Sequence, residues 1–230
     1  MNARHRILAK LRNALPVEND MQAAPAVAGY YAANTLAPQT CQERVAQLRG
    51  LLQAAHAEVI VASRAAWVSL LAVRLAALGV GRLALNEDTE EGRQLAATLR
   101  ESSGSVTLLP FDKPIETWKQ ELFDTVDAGF TVADSAIAAT GTLVFKSSPA
   151  QPRSLSLVPP LHVALVRAET IHAHMFAAAL EEQWAAAMPT NLVMVSGPSK
   201  TSDIQQTLAY GAHGPKQMLV VIVSGEGESA

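Results

Sequence analysis

The sequence predicts an α/β protein of three layers, α/β/α, with helices on both faces of a largely parallel sheet. Three observations predict it. Between Cys41 and Leu109 an amphipathic helical run followed by a short apolar run occurs three times in succession, the order in which parallel strands and their covering helices are laid down. The apolar runs are short and rich in Val, Ile and Leu, as strands buried on both faces are. At 230 residues and 49% hydrophobic content, the chain can bury a core of that size.

Taken in order, Ala3 to Leu15 places Ile7, Leu8, Leu11 and Leu15 on one stripe beside Arg4, Arg6, Lys10 and Arg12, a short amphipathic helix. Its apolar face is small and lacks aromatics, which favours docking on its own domain or a partner over lying on a membrane. Val17 to Pro38 shows neither helical nor strand period and reads as a linker, so residues 1–38 are expected to be an appendage and residues 39–230 one domain. Val45, Leu48, Leu52 and Ala55 form a helical face before the strand Glu58 to Val61. Ser63 is the expected cap of a helix carrying Trp67, Leu71, Leu75 and Leu78, ended by Gly79, and Arg82 to Leu85 is the next strand. Thr89 to Glu101 and Ser105 to Leu109 repeat the unit, and a helix from Ile115 to Phe123 follows.

The second half is less regular. Phe130 to Lys146 holds two β-like runs around Thr140-Gly141-Thr142, where glycine permits either a tight corner or close approach of a ligand. Ser147 to Ser154 reads as a loop, His162 to Val166 as a strand, Thr170 to Ala187 as one helix closed by Pro189, and Met218 to Val223 as the last strand. Leu192 to Pro215 reads as strand, loop, short helix, loop. Ser202 with Gln205 fits a capping box, and Ile204, Thr207, Leu208 and Gly211 share a face. At the amino end of such a helix, backbone N–H groups, the hydroxyls of Ser199, Thr201 and Ser202, and the Lys200 ammonium would converge on an anion.

Composition excludes several classes. A formal net charge of −3 with 17% charged residues offers no basic field, so nucleic acid is not an expected partner. Cys41 is the sole cysteine, which excludes an internal disulfide, a cysteine zinc site and an iron–sulfur cluster held by this chain alone. A reducing cytoplasm is the expected compartment, because Met1 to Leu15 also lacks the apolar core of a signal peptide. The run Ala65 to Val80 is interrupted by Arg74 and too short to span a bilayer, so no membrane span is expected. His172 and His174, two apart on a predicted helix, point to different faces and are rejected as metal ligands. His162 at a strand start and His213 before Gly214-Pro215 are better placed, with a structural role as the alternative for each. Arg153 fits either a carboxylate or phosphate contact or a solvated loop position.

Three motifs together carry a family resemblance: Ala136-Ile137-Ala138-Ala139-Thr140-Gly141-Thr142; Arg153 with Leu157-Val158-Pro159-Pro160-Leu161-His162; and Ser196-Gly197-Pro198-Ser199-Lys200-Thr201-Ser202-Asp203-Ile204 with His213-Gly214-Pro215. The chain resembles the LUD-domain family, specifically its lactate utilization protein C members, from about Cys41 to the last strand. The resemblance implies a fold similar to the ribose-phosphate isomerase, glucosamine-phosphate deaminase and CoA-transferase group. It also implies a part in oxidising L-lactate to pyruvate with two iron–sulfur partner proteins, which would hold the clusters. A small anionic ligand is then expected at Thr140, Gly141, Thr142, Arg153, His162, Ser196, Gly197, Ser199, Lys200, Thr201, Asp203 and His213. Many relatives carry glutamate before Thr-Gly-Thr, where this chain has Ala139, so a carboxylate-dependent step would lack its group here. The alternative is an independent enzyme or binder of a phosphorylated, nucleotide or CoA-like ligand.

Overall fold

The computed structural model describes residues 3–14, 27–34, 40–102, 106–110, 115–187, 189–202 and 208–225. The chain divides into two units, Met1–Leu36 and Ala37–Ala230. The first contains helix α1 (Ala3–Ala14) and helix α2 (Val27–Asn34), so part of the expected linker is helical. Its sequence, Val-Ala-Gly-Tyr-Tyr-Ala-Ala-Asn, holds three alanines, the best helix formers, despite lacking an apolar period, and the Tyr30 and Tyr31 rings meet edge to face at 5.5 Å. The rest of that expected linker lies outside the described residues.

The second unit opens with α3 (Cys41–Ala54), held at its start by a capping box: Thr40 Oγ1 accepts from the Glu43 N–H at 3.1 Å and the Thr40 N–H donates to Glu43 Oε2 at 2.9 Å. Then come β1 (Glu58–Ser63), α4 (Trp67–Ala77), β2 (Arg82–Leu85), α5 (Glu90–Glu101), β3 (Thr107–Pro110), α6 (Ile115–Asp124) and β4 (Ala128–Val132). Ser63 is the last residue of β1 and not a cap; the position before α4 is Ala66, without a side-chain bond. Thr89 does cap α5, accepting from the Gly92 N–H at 3.1 Å.

The irregular half resolves into short pieces: β5 (Ser135–Ile137), β6 (Thr142–Lys146), α7 (Arg153–Leu157), β7 (Leu161–Arg167), β8 (Ile171–His172), α8 (Met175–Glu181), α9 (Trp184–Ala187), β9 (Leu192–Val195), β10 (Lys200–Ser202), β11 (Leu208–Tyr210) and β12 (Gln217–Ser224). The single helix expected from Thr170 is divided. Its start pairs as a strand, with Ile171 and His172 opposite Ala136 and Ile137, and Gln183 at φ 52 separates α8 from α9. The loop expected to Ser154 ends earlier, because Arg153 already begins α7.

Six strands form one parallel sheet in the order β1-β12-β7-β4-β2-β3. Alternation along each strand sorts side chains to two faces. Leu83, Leu85, Phe130, Leu165 and Leu219 meet Trp67, Leu71 and Leu75 of α4 and Leu95 and Leu99 of α5. On the other face Ala164, Val166, Val220 and Ile222 meet Leu48 and Leu52 of α3 and Leu143 and Phe145 of β6. Ala84 on that face packs with Trp118 and Leu122 of α6 and Leu155 of α7. The layers are therefore helix, sheet, and a mixed layer of helices with a four-stranded sheet in the order β8-β5-β6-β9.

The backbones of α7 and β4 touch at Gly129, where an added Cβ would stand 2.1 Å from the Leu155 carbonyl oxygen. Since backbone cannot yield as a side-chain tip does, Gly129→Ala is expected to cost more than the roughly 1–3 kcal/mol of ordinary overpacking. Thr89→Ala, a lost cap, is expected to cost about 1 kcal/mol. Urea unfolding midpoints of the two variants beside the parent check this ranking.

Candidate functional site

Two of the sequence motifs meet at the end of α3. After β5, a single 3₁₀ turn over Ala138–Thr140 leads into Gly141 at φ 63, which only glycine adopts without strain, and the chain reverses into β6. Thr140 Oγ1 and Thr142 Oγ1 lie 2.7 Å apart, and Thr142 Oγ1 lies 2.8 Å from Ser196 Oγ at the end of β9. The glycines beside them admit protein: an added Cβ would stand 2.6 Å from Leu51 Cβ at Gly141 and 3.0 Å from Ala55 Cβ at Gly197. Close backbone approach at this corner thus serves the packing of α3.

The Ser-rich loop continues from Ser196 into a hairpin, because β10 and β11 pair antiparallel with Lys200 opposite Tyr210, Thr201 opposite Ala209 and Ser202 opposite Leu208. Ser202 and Leu208 to Tyr210, at the two ends of the short helix expected from Ser202 to Gly211, are therefore strand. Two turns of helix are marginal without tertiary support, whereas the ladder gives each strand's backbone a partner. Asp203 and the remainder of 203–207 lie outside the described residues, as does the Thr201 side chain. What converges is Ser199: its N–H donates to Pro215 O at 2.8 Å, its carbonyl accepts from the Gly211 N–H at 3.0 Å, and its hydroxyl accepts from the His213 N–H at 3.3 Å. Lys200 and His213 are both exposed beside it. The hairpin precedes β12 and Ala55 precedes β1, so this whole group stands at the amino edge of the parallel sheet.

Arg153 and His162 belong to a second neighbourhood. His162 is 1% exposed, with its Nε2 2.7 Å from Thr131 Oγ1 and its ring 5.4 Å from that of Phe145. Burial pushes its pKa from 6.5 down to about 4, so the ring is neutral at pH 7. Arg153 is exposed on a shallow depression with Thr131, Asp134, Lys146 and Gln151, and forms no ion pair among the described residues.

An acidic network not foreseen from the sequence lies next to it. Burial acts upward on the Glu182 carboxyl, but the hydrogen bonds from Lys146 and Trp184 help to outweigh it and hold the pKa down to about 2. Lys146 Nζ is 2.7 Å away and the Trp184 Nε1–H donates at 3.1 Å. His172 stands between Glu181 at 3.0 Å and Glu182 at 3.1 Å, while His174 Nδ1 accepts from the Ala177 N–H and so caps α8. Both rings are engaged where they stand, and the helical spacing expected of the pair is not met, because His172 ends β8 and His174 precedes α8.

A further group of charged residues, not singled out by the sequence, stands at the carboxyl edge of the parallel sheet. Arg64 directly follows β1, Arg167 ends β7, and Glu90 and Glu91 open α5; together they line a cleft of about 160 Å³. Arg64 Nη2 meets Glu169 at 2.5 Å, and Arg167 Nη2 meets Glu91. The available signal was an arginine just after one strand and at the last position of another, since ligands of open α/β sheets gather at that edge.

The LUD domain matches residues 45–223, a span that includes every one of the sites above. The chain belongs to the LUD domain family. An uncharacterized protein of Neisseria meningitidis serogroup B is 38% identical over 226 residues, covering 97% of this chain and 94% of that one. Lactate utilization protein C of Shouchella clausii is 32% identical over 106 residues, covering 45% of this chain and 46% of that protein. Among solved structures, a DUF162 family protein from Deinococcus radiodurans superposes with TM-score 0.58 at 21% identity over 81% of this chain and 99% of that one, which shows the fold. No described helix of this LUD domain protein is long and apolar enough to cross a membrane.

His162 and Glu182, two of the perturbed groups of the LUD domain, titrate in different windows. His162 has its native pKa depressed from 6.5 to about 4, so the unfolded chain binds the extra proton first as pH falls. Stability is expected to fall between pH 6.5 and about 4 by on the order of 3 kcal/mol from this group. Glu182, depressed from 4.5 to about 2, loses its contribution as pH falls from 4.5 to about 2, mostly below that window. Urea unfolding of the parent and of His162→Gln as a function of pH checks this: the variant should lack the first fall and keep the second.

Proposed function

We propose that this chain works in lactate utilization, as a component that acts with iron–sulfur cluster proteins and binds a small anionic ligand. The observation that carries the reading is the family match over residues 45–223, together with relatives that bear the name lactate utilization protein C. Oxidation of L-lactate to pyruvate releases an electron pair, which needs an acceptor. A chain whose sole cysteine is Cys41 supplies no cluster by itself, because clusters are held by several thiolates. In this reading the clusters reside in partner proteins and the present chain contributes binding and assembly.

In this reading the ligand binds at the amino-edge loop, where Lys200 and His213 stand exposed beside Ser199. A lysine on a hairpin strand offers a point charge with rotatable donors, suited to a carboxylate or phosphate. Deleting the gene is expected to abolish growth on L-lactate while leaving growth on pyruvate intact, and tagged chain from lactate-grown cells should carry iron-containing proteins with it. Equal growth of the two strains on L-lactate would overturn the role. Lys200→Ala should weaken binding of inorganic phosphate to the purified chain by about tenfold, the worth of one charge-assisted bond. Its melting temperature without phosphate should stay that of the parent, since an exposed lysine contributes little to folding.

A further inference from the structure

The carboxyl-edge cleft holds charges of both signs that its own ion pairs do not exhaust. Arg64 and Arg167 each spend one terminal nitrogen on a glutamate, and their Nε–H and Nη1–H groups have no acceptor among the described residues. On the facing wall Glu90 accepts, among the described residues, only from the Gln94 amide, at 3.1 Å. The floor is rigid and apolar: Trp67, Leu165 and Val223 are all buried, and Trp67 stacks on Phe130 at 6.3 Å with the planes 8° apart.

Charge and size restrict what could sit there. A simple anion would satisfy the guanidinium groups but face Glu90 and Glu91, and a simple cation would face Arg64 and Arg167. The occupant must bring a carboxylate to the arginines and a hydrogen-bond donor to the glutamates. A cleft of about 160 Å³ replaces about five waters at roughly 30 Å³ each, well under the ~300–1,000 Å³ of pockets that take drug-sized ligands. Nucleotides and CoA are too large for it. In so short a molecule the donor falls close to the carboxylate.

We infer that this cleft is a binding site for a short-chain carboxylic acid carrying a hydroxyl or ammonium group beside the carboxylate. Arg64 and Arg167 take the carboxylate in a charge-assisted, two-pronged grip, and Glu90 and Glu91 take the donor. The inference stands on the cleft alone and is independent of the amino-edge loop and of the role in lactate utilization.

Calorimetric titration of the purified full chain with L-lactate, L-alanine, pyruvate and propionate tests it, because these acids share a carbon count and differ in the donor. L-lactate or L-alanine is expected to bind in the millimolar range and at least about tenfold more tightly than pyruvate and propionate, the worth of one hydrogen bond to a charged group. The better of the two names the donor, hydroxyl or ammonium. Arg167→Met, which keeps an apolar stem against the floor, and Glu90→Gln, at an exposed position, should each weaken that binding by about tenfold. Melting curves of both variants confirm that they are folded, and Glu90→Gln leaves every ion pair of the cleft in place. Equal affinity for all the acids, no binding of any, or full affinity in both variants would overturn the site. A strain that grows normally on L-lactate would remove the proposed role and leave this binding result standing.

Discussion

The pairing of β7 with β12 at the middle of the parallel sheet is the constraint on which the rest of the molecule depends. Seven residues of each strand run in register, from Gln217 opposite Leu161 to Val223 opposite Arg167, and nearly all of them are buried. Alternation assigns Val163, Leu165, Leu219 and Val221 to the face under α4 and α5, and Ala164, Val166, Val220 and Ile222 to the face under α3 and β6. A slip of one residue would exchange the faces and leave both layers without their complement. The same parity decides the fate of His162. It shares the second face with Ala164, so it lies beneath Phe145 as a neutral buried ring instead of standing at a strand end open to solvent.

The two edges of the sheet are built for different purposes. At the amino edge the chain is drawn inward: Gly141 and Gly197 press on α3, the three hydroxyls satisfy one another, and Ser199 ties the hairpin to the strand that follows it. Hydroxyls already paired with one another have limited capacity left for a ligand, so charge for an anion must come from the exposed Lys200 and His213. At the carboxyl edge the chain is drawn outward. The strands end in Arg64 and Arg167, which must leave the core because a guanidinium cannot be buried without a partner, and α5 presents Glu90 and Glu91 to them. Acidic residues in the first turn of α5 also suit the helix dipole, which fixes their place independently of any ligand.

Legibility in the sequence followed the range of the forces involved. Where the signal was burial of a whole element, it was plain: Arg82 to Leu85 is the strand as read, and the helices at Cys41 and Ile115 and the last strand differ only at their ends. Where the outcome turned on pairing with distant residues, it was not. Ile171 and His172 carry a helical pattern but are claimed by Ala136 and Ile137, thirty-odd positions earlier, and Lys200 to Ser202 are claimed by Leu208 to Tyr210. The site residues divide the same way. Thr140, Thr142 and Ser196 were read as one group and do meet, because turns between strands of one sheet fall together. Arg64, Arg167, Glu90 and Glu91 were passed over because a charged residue after a strand reads as an ordinary surface position until the topology brings three strand ends and a helix start to one place.

Ala139 bears on what such a molecule can do by itself. Its N–H donates to Ala173 O at 3.0 Å and its side chain adds nothing to the corner where the Thr140 and Thr142 hydroxyls meet. The other carboxylates near that half of the molecule are already committed. Asp134, whose pKa burial raises, accepts the Lys146 N–H at 2.7 Å, and Glu182 is held ionised with the help of Lys146 and Trp184. A general base must be able to take up a proton near the working pH, and a carboxylate locked near pKa 2 among its own donors is poorly suited to that. The acids with acceptor capacity to spare, Glu90 and Glu91, stand at the opposite edge, beside the arginines that would hold a carboxylate. At the amino edge, by contrast, Gly141 and Gly197 of the family's loop motifs press on α3 and Ser199 ties the hairpin to the residues before β12, so part of each motif is spent on holding the fold.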